Sequence, residues 1–190
     1  MAISLSKGEK VSLTKDNPGL NLISVGLGWD TQKFDGQSDF DLDASVFMVG
    51  EDGKTKDTDF IYYRNKSQQG IEHKGDNRTG EGDGDDEVIE VKLKELAPHI
   101  RRLSFVVSID KARERGQSFG QVSNAYIKIR NGETGEELLN FDLGEDFSTQ
   151  TGVIAGEIYL HNTEWKFQAI GQGFDSGLEG LCNHYGLEVE

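Results

Sequence analysis

Short segments of alternating apolar and polar residues recur along most of the chain, and they constrain the fold more than any other feature. Examples are residues 87–93 and 125–130, and residues 153–160 and 164–170 indicate a further hairpin around residues 161–163. Alternation with a period of two is typical of strands with one buried face, and turn signals such as Asn131-Gly132 separate them. About ten strands at this spacing, with few helical patterns, predict an all-β protein: a β-sandwich with short helical connections.

Two segments carry more specific expectations. Residues 59–64 are apolar and aromatic, so we expect another strand there. The tail, residues 177–187, has the composition of a short helix, which we expect to cover an edge of a sheet. No linker composition and no internal repeat interrupts the 190 residues, of which 35% are hydrophobic. We therefore predict a single domain spanning residues 1–190.

The most acidic stretch lies between two predicted strands. Seven of the fifteen residues from Asp76 to Glu90 are acidic, Arg78 is the only base, and glycines are interleaved with the acids. Folding these charges into a compact loop without a counter-ion would cost on the order of several kcal/mol. Oxygen ligands interleaved with glycines suit a hard divalent cation. The stretch therefore predicts calcium binding.

A second acidic cluster lies upstream in a strand-like context. Asp39, Asp41 and Asp43 share one face at period two, while the apolar residues between them share the other. With Asp83, Asp85, Asp86 and Glu87 from the acidic stretch, they form a candidate cage of oxygens for calcium. Asn77 and Thr79 offer neutral oxygens, and glycines let backbone carbonyls turn inward.

Other metal sites fit the sequence less well. The acidic stretch is not an EF-hand, because Arg78 and Glu81 occupy window positions that need an oxygen ligand and a glycine. Zinc would need Cys or His, and neither lies within the two clusters; Cys182 and His184 lack two further ligands. Magnesium prefers fewer protein ligands and keeps its waters. The alternative that the acids are a solvated loop and a polar strand face stays open.

Net charge and hydropathy exclude several classes of function. The formal net charge of −14 disfavours nucleic acid as a partner, because phosphate binding needs clustered Lys and Arg. No apolar run is long enough to span a membrane, so we expect no direct membrane insertion. Residues 1–8 do not resemble a signal peptide, and with a single cysteine the cytoplasm is the expected location.

One basic region interrupts this acidic chain. We predict a solvated patch near a turn, with an acidic partner surface as the alternative. Its members are Arg101, Arg102, Lys111, Arg113 and Arg115.

Several motifs together resemble a known family, the TerD-type tellurium-resistance and stress proteins. They are Gly26-Leu27-Gly28-Trp29-Asp30, residues 39–45, Asp76-Asn77 and residues 82–87 in the acidic stretch, and residues 117–122, 156–159 and 164–167. The resemblance covers essentially the whole chain, and the combination of motifs is specific.

The resemblance implies a calcium-binding β-sandwich that holds two Ca²⁺ ions in the bacterial cytoplasm, with association with the inner membrane face as a further implication. It implies roles in tellurite resistance and in tolerance of phage and colicins. The implied partners are other Ter-family proteins and a TerC-type membrane protein. Carried over by residue, the metal ligands are Asp30, Asp39, Asp41, Asp43, Asp76, Asn77, Thr79, Gly82, Asp83, Asp85, Asp86 and Glu87.

The chemistry of the chain limits what it does with tellurite. Reduction of tellurite normally consumes thiols, and this chain has one cysteine and no redox cofactor motif. We therefore expect no enzyme but a calcium-dependent interaction or sensing module. A purely structural calcium ion is one alternative. A metal-dependent hydrolase is another, although no Ser/His/Asp or Cys/His arrangement is apparent.

Overall fold

A computed structural model of the protein describes residues 2–31, 40–75, 84–143 and 147–188. Within these ranges the chain is built mostly of strands, joined by short helical turns. The strands are β1 (Ile3–Leu5), β2 (Lys10–Ser12), β3 (Leu22–Thr31), β4 (Leu42–Gly50), β5 (Phe60–Ile61), β6 (Ser67–Gln68), β7 (Ile71–His73), β8 (Glu87–Lys92), β9 (Ile100–Ile109), β10 (Val122–Asn131), β11 (Glu137–Asp142), β12 (Gly152–His161) and β13 (Glu164–Phe174). The α-helices are α1 (Ala112–Arg115) and α2 (Gly177–His184).

The strands form two sheets that pack face to face. One sheet has the order β1-β11-β10-β3-β8-β7-β6 and the other β2-β13-β12-β9-β4-β5. Neighbouring strands are antiparallel, except that β1 pairs with β11 in parallel. Apolar residues from both sheets form one buried cluster, which includes Val25 and Leu27 of β3, Phe105 of β9 and Ile158 of β12. The β-sandwich prediction is confirmed.

Strand β4 follows the alternation that the sequence predicts and then departs from it. Leu42 and Ala44 point into the core between the sheets, and Asp43 lies half-buried on the other side. From Ser45 onward both faces of the strand are buried. A second apolar cluster, on the outer face of the sheet, buries Phe47 and Val49.

Helix α2 covers this outer face, and the prediction that it covers an edge is wrong. It packs against β9, β12 and β13, and β9 and β12 lie in the middle of their sheet. Leu181 joins Val106 and Ile154 in the outer apolar cluster. The helix lies there because the outward residues of the central strands are apolar and must be removed from water.

The expected strand at residues 59–64 is also shorter than predicted. Only Phe60–Ile61 pairs with β4, and Tyr62 and Asn65 then close a tight turn by two backbone hydrogen bonds of 3.0 Å. The aromatic run reflects ring packing, because the rings of Phe60 and Tyr62 stack with centroids 4.7 Å apart. None of the helices in the described ranges has the length and apolarity that crossing a bilayer requires.

The predicted single basic region is divided between two ends of the molecule. Arg101 and Arg102 lie at the start of β9, whereas Lys111, Arg113 and Arg115 follow its end. At about 3.3 Å per residue, a ten-residue strand separates the two groups by about 30 Å. The two groups of basic residues are close in sequence but far apart in space, because the extended strand β9 lies between them.

Candidate functional site

Half of the predicted metal ligands lie within the described residues. Asp30 is near the end of β3, Asp41 and Asp43 are at the start of β4, Asp85 and Asp86 precede β8, and Glu87 begins it. We refer to the end of the sandwich where Asp30, Asp41, Asp43, Asp86 and Glu87 lie as the acidic end. The other predicted ligands, which lie outside the described residues, are Asp39, Asp76, Asn77, Thr79, Gly82 and Asp83.

His73 connects the two acidic segments across the sandwich. Its Nε2 lies 2.7 Å from Oε2 of Glu87, in the same sheet, and 3.1 Å from the carbonyl oxygen of Ala44, in the opposite sheet. Both His73 and Glu87 are buried. Because Ala44 directly follows Asp43, these contacts bring the start of β4 to the start of β8. The described members of the two acidic clusters, Asp41 and Asp43 on one side and Asp86 and Glu87 on the other, therefore lie at the same end.

The hydrogen bonds of His73 indicate which ring nitrogen carries the proton when the imidazole is neutral. The backbone N–H of Gly75 donates to Nδ1 at 3.2 Å, so Nδ1 acts as an acceptor and carries no proton. In the neutral ring the proton is then on Nε2, which donates to the Ala44 carbonyl at 3.1 Å, and Oε2 of Glu87 lies 2.7 Å from the same nitrogen. The imidazole is used to position a carboxylate.

Asp86 is tied to the end of β3 by two backbone contacts. The N–H of Trp29 donates to Oδ2 of Asp86 at 2.8 Å, and the N–H of Asp86 donates to the Leu27 carbonyl, also at 2.8 Å. Burial raises the pKa of the Asp86 carboxyl, and the charges of Asp30 and Asp85 raise it further, while the Trp29 N–H lowers it in part. Carboxylates are therefore close enough to repel one another at the acidic end.

Asp85 has a different environment from Asp86. Its carboxylate forms an ion pair with Nη1 of Arg130, accepts from Nη2 of Arg130 at 3.3 Å, and accepts from the Tyr126 hydroxyl at 2.9 Å. Only 10% of the Asp85 side chain is exposed. The sequence assigned Asp85 to the calcium cage, whereas here both of its oxygens contact residues of β10.

Two glycines of β3 make room for this cluster. A Cβ at Gly26 would lie 2.2 Å from Oδ2 of Asp85, and a Cβ at Gly28 would lie 2.4 Å from the hydroxyl oxygen of Tyr126. In the sequence, Gly26 and Gly28 stand out only as part of a family motif, and no local pattern indicates Arg130 or Tyr126 as partners. The available signal was the pair of glycines at period two on a strand, which indicates close approach of other groups to one face.

Two further contacts shape the acidic end. The amide of Asn124 donates to Oδ2 of Asp30 at 2.7 Å, and Asn124 has a left-handed backbone with φ of 52°. On the other sheet, the Asp110 N–H donates to the Asp41 carbonyl at 2.7 Å. Asn124 lies where the register of β10 shifts against β3, so an irregular segment turns its side chain toward Asp30.

Comparison with known proteins identifies the family. The TerD domain matches residues 1–185. The chain belongs to the TerD family. Over their full lengths, this chain is 54% identical to general stress protein 16U of Bacillus subtilis (strain 168) and 50% identical to tellurium resistance protein TerD of Serratia marcescens. The family therefore includes proteins named for tellurium resistance and for stress.

A solved structure supports the fold of this TerD-family chain. It is the crystal structure of a homologue of telluride resistance protein from Streptomyces coelicolor A3(2), which superposes with a TM-score of 0.70 at 25% sequence identity. The match covers 85% of this chain and 96% of that one.

The described residues of this TerD-family chain fit a hard cation by their chemistry but do not by themselves form a site. Within the described ranges, no group of three or more His, Cys, Asp and Glu side chains is arranged to hold a metal ion. The acids at the acidic end offer oxygen ligands, which calcium prefers, and His73 is already engaged with Glu87. A complete cage would need oxygens from outside the described residues.

Proposed function

We propose that this TerD-family protein acts in tellurium and stress resistance as a calcium-dependent interaction module, and not as an enzyme. The observation that carries the proposal is the contact of His73 with Glu87 and with the Ala44 carbonyl. This contact brings two acidic segments, far apart in sequence, to one end of the sandwich. Carboxylates gathered in this way repel one another, and a bound divalent cation offsets that repulsion.

In the proposal, two Ca²⁺ ions bind at the acidic end. Among the described residues we assign ligand roles to Asp30, Asp41, Asp43, Asp86 and Glu87. His73 holds Glu87 in place, as outer partners hold the carboxylates of metal sites. The remaining oxygens come from Asp39, Asp76, Asn77, Thr79, Gly82 and Asp83.

Asp85 receives a separate role in this proposal. Its oxygens contact Arg130 and Tyr126, so its charge is already compensated by a cation of the protein. We assign it to holding the residues before β8 against β3 and β10, which positions Asp86 and Glu87. Calcium is favoured over zinc because the donors are oxygens, and over magnesium because they are numerous.

Calcium binding would change what the acidic end presents to a partner. With a net charge of −14, the chain repels acidic surfaces, and each bound ion adds two positive charges at one end. We propose that this ion-loaded end contacts other Ter-family proteins and a TerC-type membrane protein, in the cytoplasm and at the inner membrane face. Reduction of tellurite is not part of the proposal, because the single cysteine is buried.

The proposal is tested by calorimetric titration of calcium into chelator-stripped protein, with magnesium as competitor. We expect two calcium ions per chain, preference over magnesium, and a higher melting temperature with calcium. Asp43→Asn should weaken binding at least tenfold. Asp142→Asn, which removes the same charge from an exposed position on β11, is the control and should bind as the wild type does. No binding heat and no change in melting temperature would contradict calcium binding.

A second measurement separates an interaction module from a structural ion. A purified TerC-type membrane protein in detergent is offered to the protein with calcium and with chelator. We expect association only with calcium, and its loss in Asp43→Asn but not in Asp142→Asn. If calcium raises the melting temperature while association is the same with chelator, calcium is a structural ion and the interaction role is wrong.

A further inference from the structure

Two cavities adjoin at the end of the sandwich opposite the acidic end. Strands β4 and β9 pair from Leu42 and Ile109 at the acidic end to Gly50 and Ile100 at the other, about 30 Å away. The cavities there have volumes of about 480 Å³ and about 300 Å³. We call the smaller one the arginine cleft; its lining includes Arg101, Arg102, Tyr159, His184 and Tyr185.

An irregularity in strand pairing brings both arginines to this cleft. Arg102 pairs with Val49, but the next pair is Ile100 with Gly50, so Arg101 is an extra residue in β9. In a regular strand two consecutive side chains point to opposite faces. A bulge re-aims side chains, and here it leaves Arg101 and Arg102 bordering one cavity.

The guanidinium groups are held by contacts at the rim. Nη1 of Arg101 donates to the Pro98 carbonyl at 2.6 Å. Nη1 of Arg102 lies 3.4 Å from Oε2 of the buried Glu157, whose Oε1 accepts from the Ser104 hydroxyl at 2.9 Å. Both arginine side chains stay exposed to solvent. Anchored, exposed guanidinium groups suit the oxygens of a phosphate.

One wall of the arginine cleft is apolar and aromatic. Tyr185 is buried, and its ring stacks on Phe47 with centroids 4.6 Å apart. The His184 ring packs edge-on against Tyr185, with centroids 4.8 Å apart. Val49 and Leu160 also line the cavity. These packed rings give a preformed wall for a planar group. Glu51, the acid among the described lining residues, lies on an exposed turn.

The larger cavity extends the arginine cleft on the far side of Arg101. Gly50, Glu51 and Arg101 line both cavities, and Lys54, Lys56 and His99 line the larger one. Nε2 of His99 lies 2.7 Å from Oδ2 of the buried Asp59, which fixes the ring. Glu51, Asp52 and Asp59 also line the larger cavity and offset its lysines, so it gives a longer ligand room next to the arginines without an excess of positive charge.

We propose that the arginine cleft binds a small phosphate-bearing molecule with a planar ring, of the nucleotide class. Arg101 and Arg102 hold the phosphate, and the exposed His184 and half-buried Tyr159 receive the ring, with the buried Tyr185 packed against His184. This ligand site is independent of the proposed calcium site, since about 30 Å of strand separates them.

The proposal is tested by nuclear magnetic resonance titration of isotope-labelled protein with AMP, adenosine and inorganic phosphate. Chelator is present throughout, so that phosphate held by calcium does not contribute. We expect AMP to shift amide signals of residues 50–51, 100–102, 159–160 and 184–186, and to bind at least tenfold more tightly than adenosine or inorganic phosphate. Arg101→Ala should weaken AMP binding at least tenfold.

Arg113→Ala is the matched control, because Arg113 is an exposed arginine on α1 near the acidic end. It makes the same charge change and should leave AMP binding unchanged. Equal weakening by both variants, or equal affinity for inorganic phosphate and AMP, would mean a non-specific charge effect and overturn the proposal. Binding to phosphatidic acid vesicles through Arg101 without AMP binding would also overturn it, in favour of a membrane surface.

Discussion

His73 and Glu87 form a buried contact between an imidazole and a carboxylate, 2.7 Å apart, at the boundary between the two sheets. The same imidazole nitrogen lies 3.1 Å from the Ala44 carbonyl of the opposite sheet. One buried side chain therefore contacts a buried carboxylate and a backbone carbonyl, and links β7 and β8 to β4. This arrangement makes His73 a residue of the acidic end that no pattern of acids in the sequence indicates.

Replacement of His73 tests this link. His73→Ala removes the hydrogen bond to the Ala44 carbonyl and the contact with the buried Glu87 carboxylate, and we expect the free energy of unfolding to fall by about 2–3 kcal/mol. His73→Gln keeps an N–H donor on a side chain of similar reach, so it should recover part of the loss. Urea unfolding in chelator measures both variants. Equal losses in the two variants would indicate that packing of the ring matters and the hydrogen bond does not.

The ion pair between Asp85 and Arg130 gives a second prediction. Arg130→Ala leaves a carboxylate that is 10% exposed without its cation, and we expect a loss of about 1–3 kcal/mol in urea unfolding. Arg113→Ala, at an exposed position, should change stability by less than about 0.5 kcal/mol. A loss in Arg130→Ala no larger than in this control would mean that the ion pair contributes nothing measurable.

Much of the fold was predictable because strand periodicity and turn residues are local signals. The strands β8 and β10 lie close to the segments that alternation indicated, and β12 and β13 form the hairpin expected around residues 161–163. The position of α2 was not predictable in the same way. Whether a helix covers an edge or a face depends on the pairing order of distant strands, and only that order places β9 and β12 at the centre of the sheet.

The candidate site was predictable to a smaller extent. Carboxylates at period two and acids near glycines are visible in sequence, so Asp43, Asp86 and Glu87 were found as candidate ligands. The partners of these acids were not found, because His73 and Arg130 come from other strands and carry no local pattern. Asp85 illustrates the consequence: its neighbours in sequence suggest a metal ligand, whereas its neighbours in space are an arginine and a tyrosine.

Cys182, a buried residue of α2, gives a prediction about pH. Burial raises the pKa of the Cys182 thiol from 9.0 to about 11, so at pH 8 only about one thiol in a thousand is ionised. We expect a disulfide reagent to label the native protein slowly at pH 8 and to label it rapidly in urea. Rapid labelling of the native protein would contradict this burial.

The raised pKa of Cys182 also makes the free energy of unfolding depend on pH. The pKa of the Cys182 thiol is higher in the folded than in the unfolded protein. The contribution of this thiol to the free energy of unfolding is therefore fully present below about pH 9 and is lost as pH rises toward 11. Tyr159 and Tyr185 also have raised pKa values because of burial, so they act in the same direction. Cys182→Ala isolates the thiol: between pH 9 and 11 its free energy of unfolding should fall less steeply than that of the wild type. Parallel curves would contradict the shift.

Gly26 and Asp85 should be energetically coupled, because a Cβ at Gly26 would lie 2.2 Å from Oδ2 of Asp85. In Gly26→Ala the carboxylate must move, and it cannot do so without losing its contacts with Arg130 and Tyr126. In the Asp85→Ala background this conflict is absent, so Gly26→Ala should cost about 1–2 kcal/mol less there than in the wild type. Urea unfolding of the two single variants and the double variant in chelator measures the difference.

A distant pair provides the reference for this double-mutant cycle. Gly26→Ala combined with Arg113→Ala should be additive within about 0.5 kcal/mol, because Arg113 is an exposed residue of α1, which follows a strand of the opposite sheet. If Gly26→Ala and Asp85→Ala are equally additive, the carboxylate does not depend on the space above Gly26. If they are coupled as expected, position 26 is a glycine because the Asp85 carboxylate occupies the space that a side chain on β3 would fill.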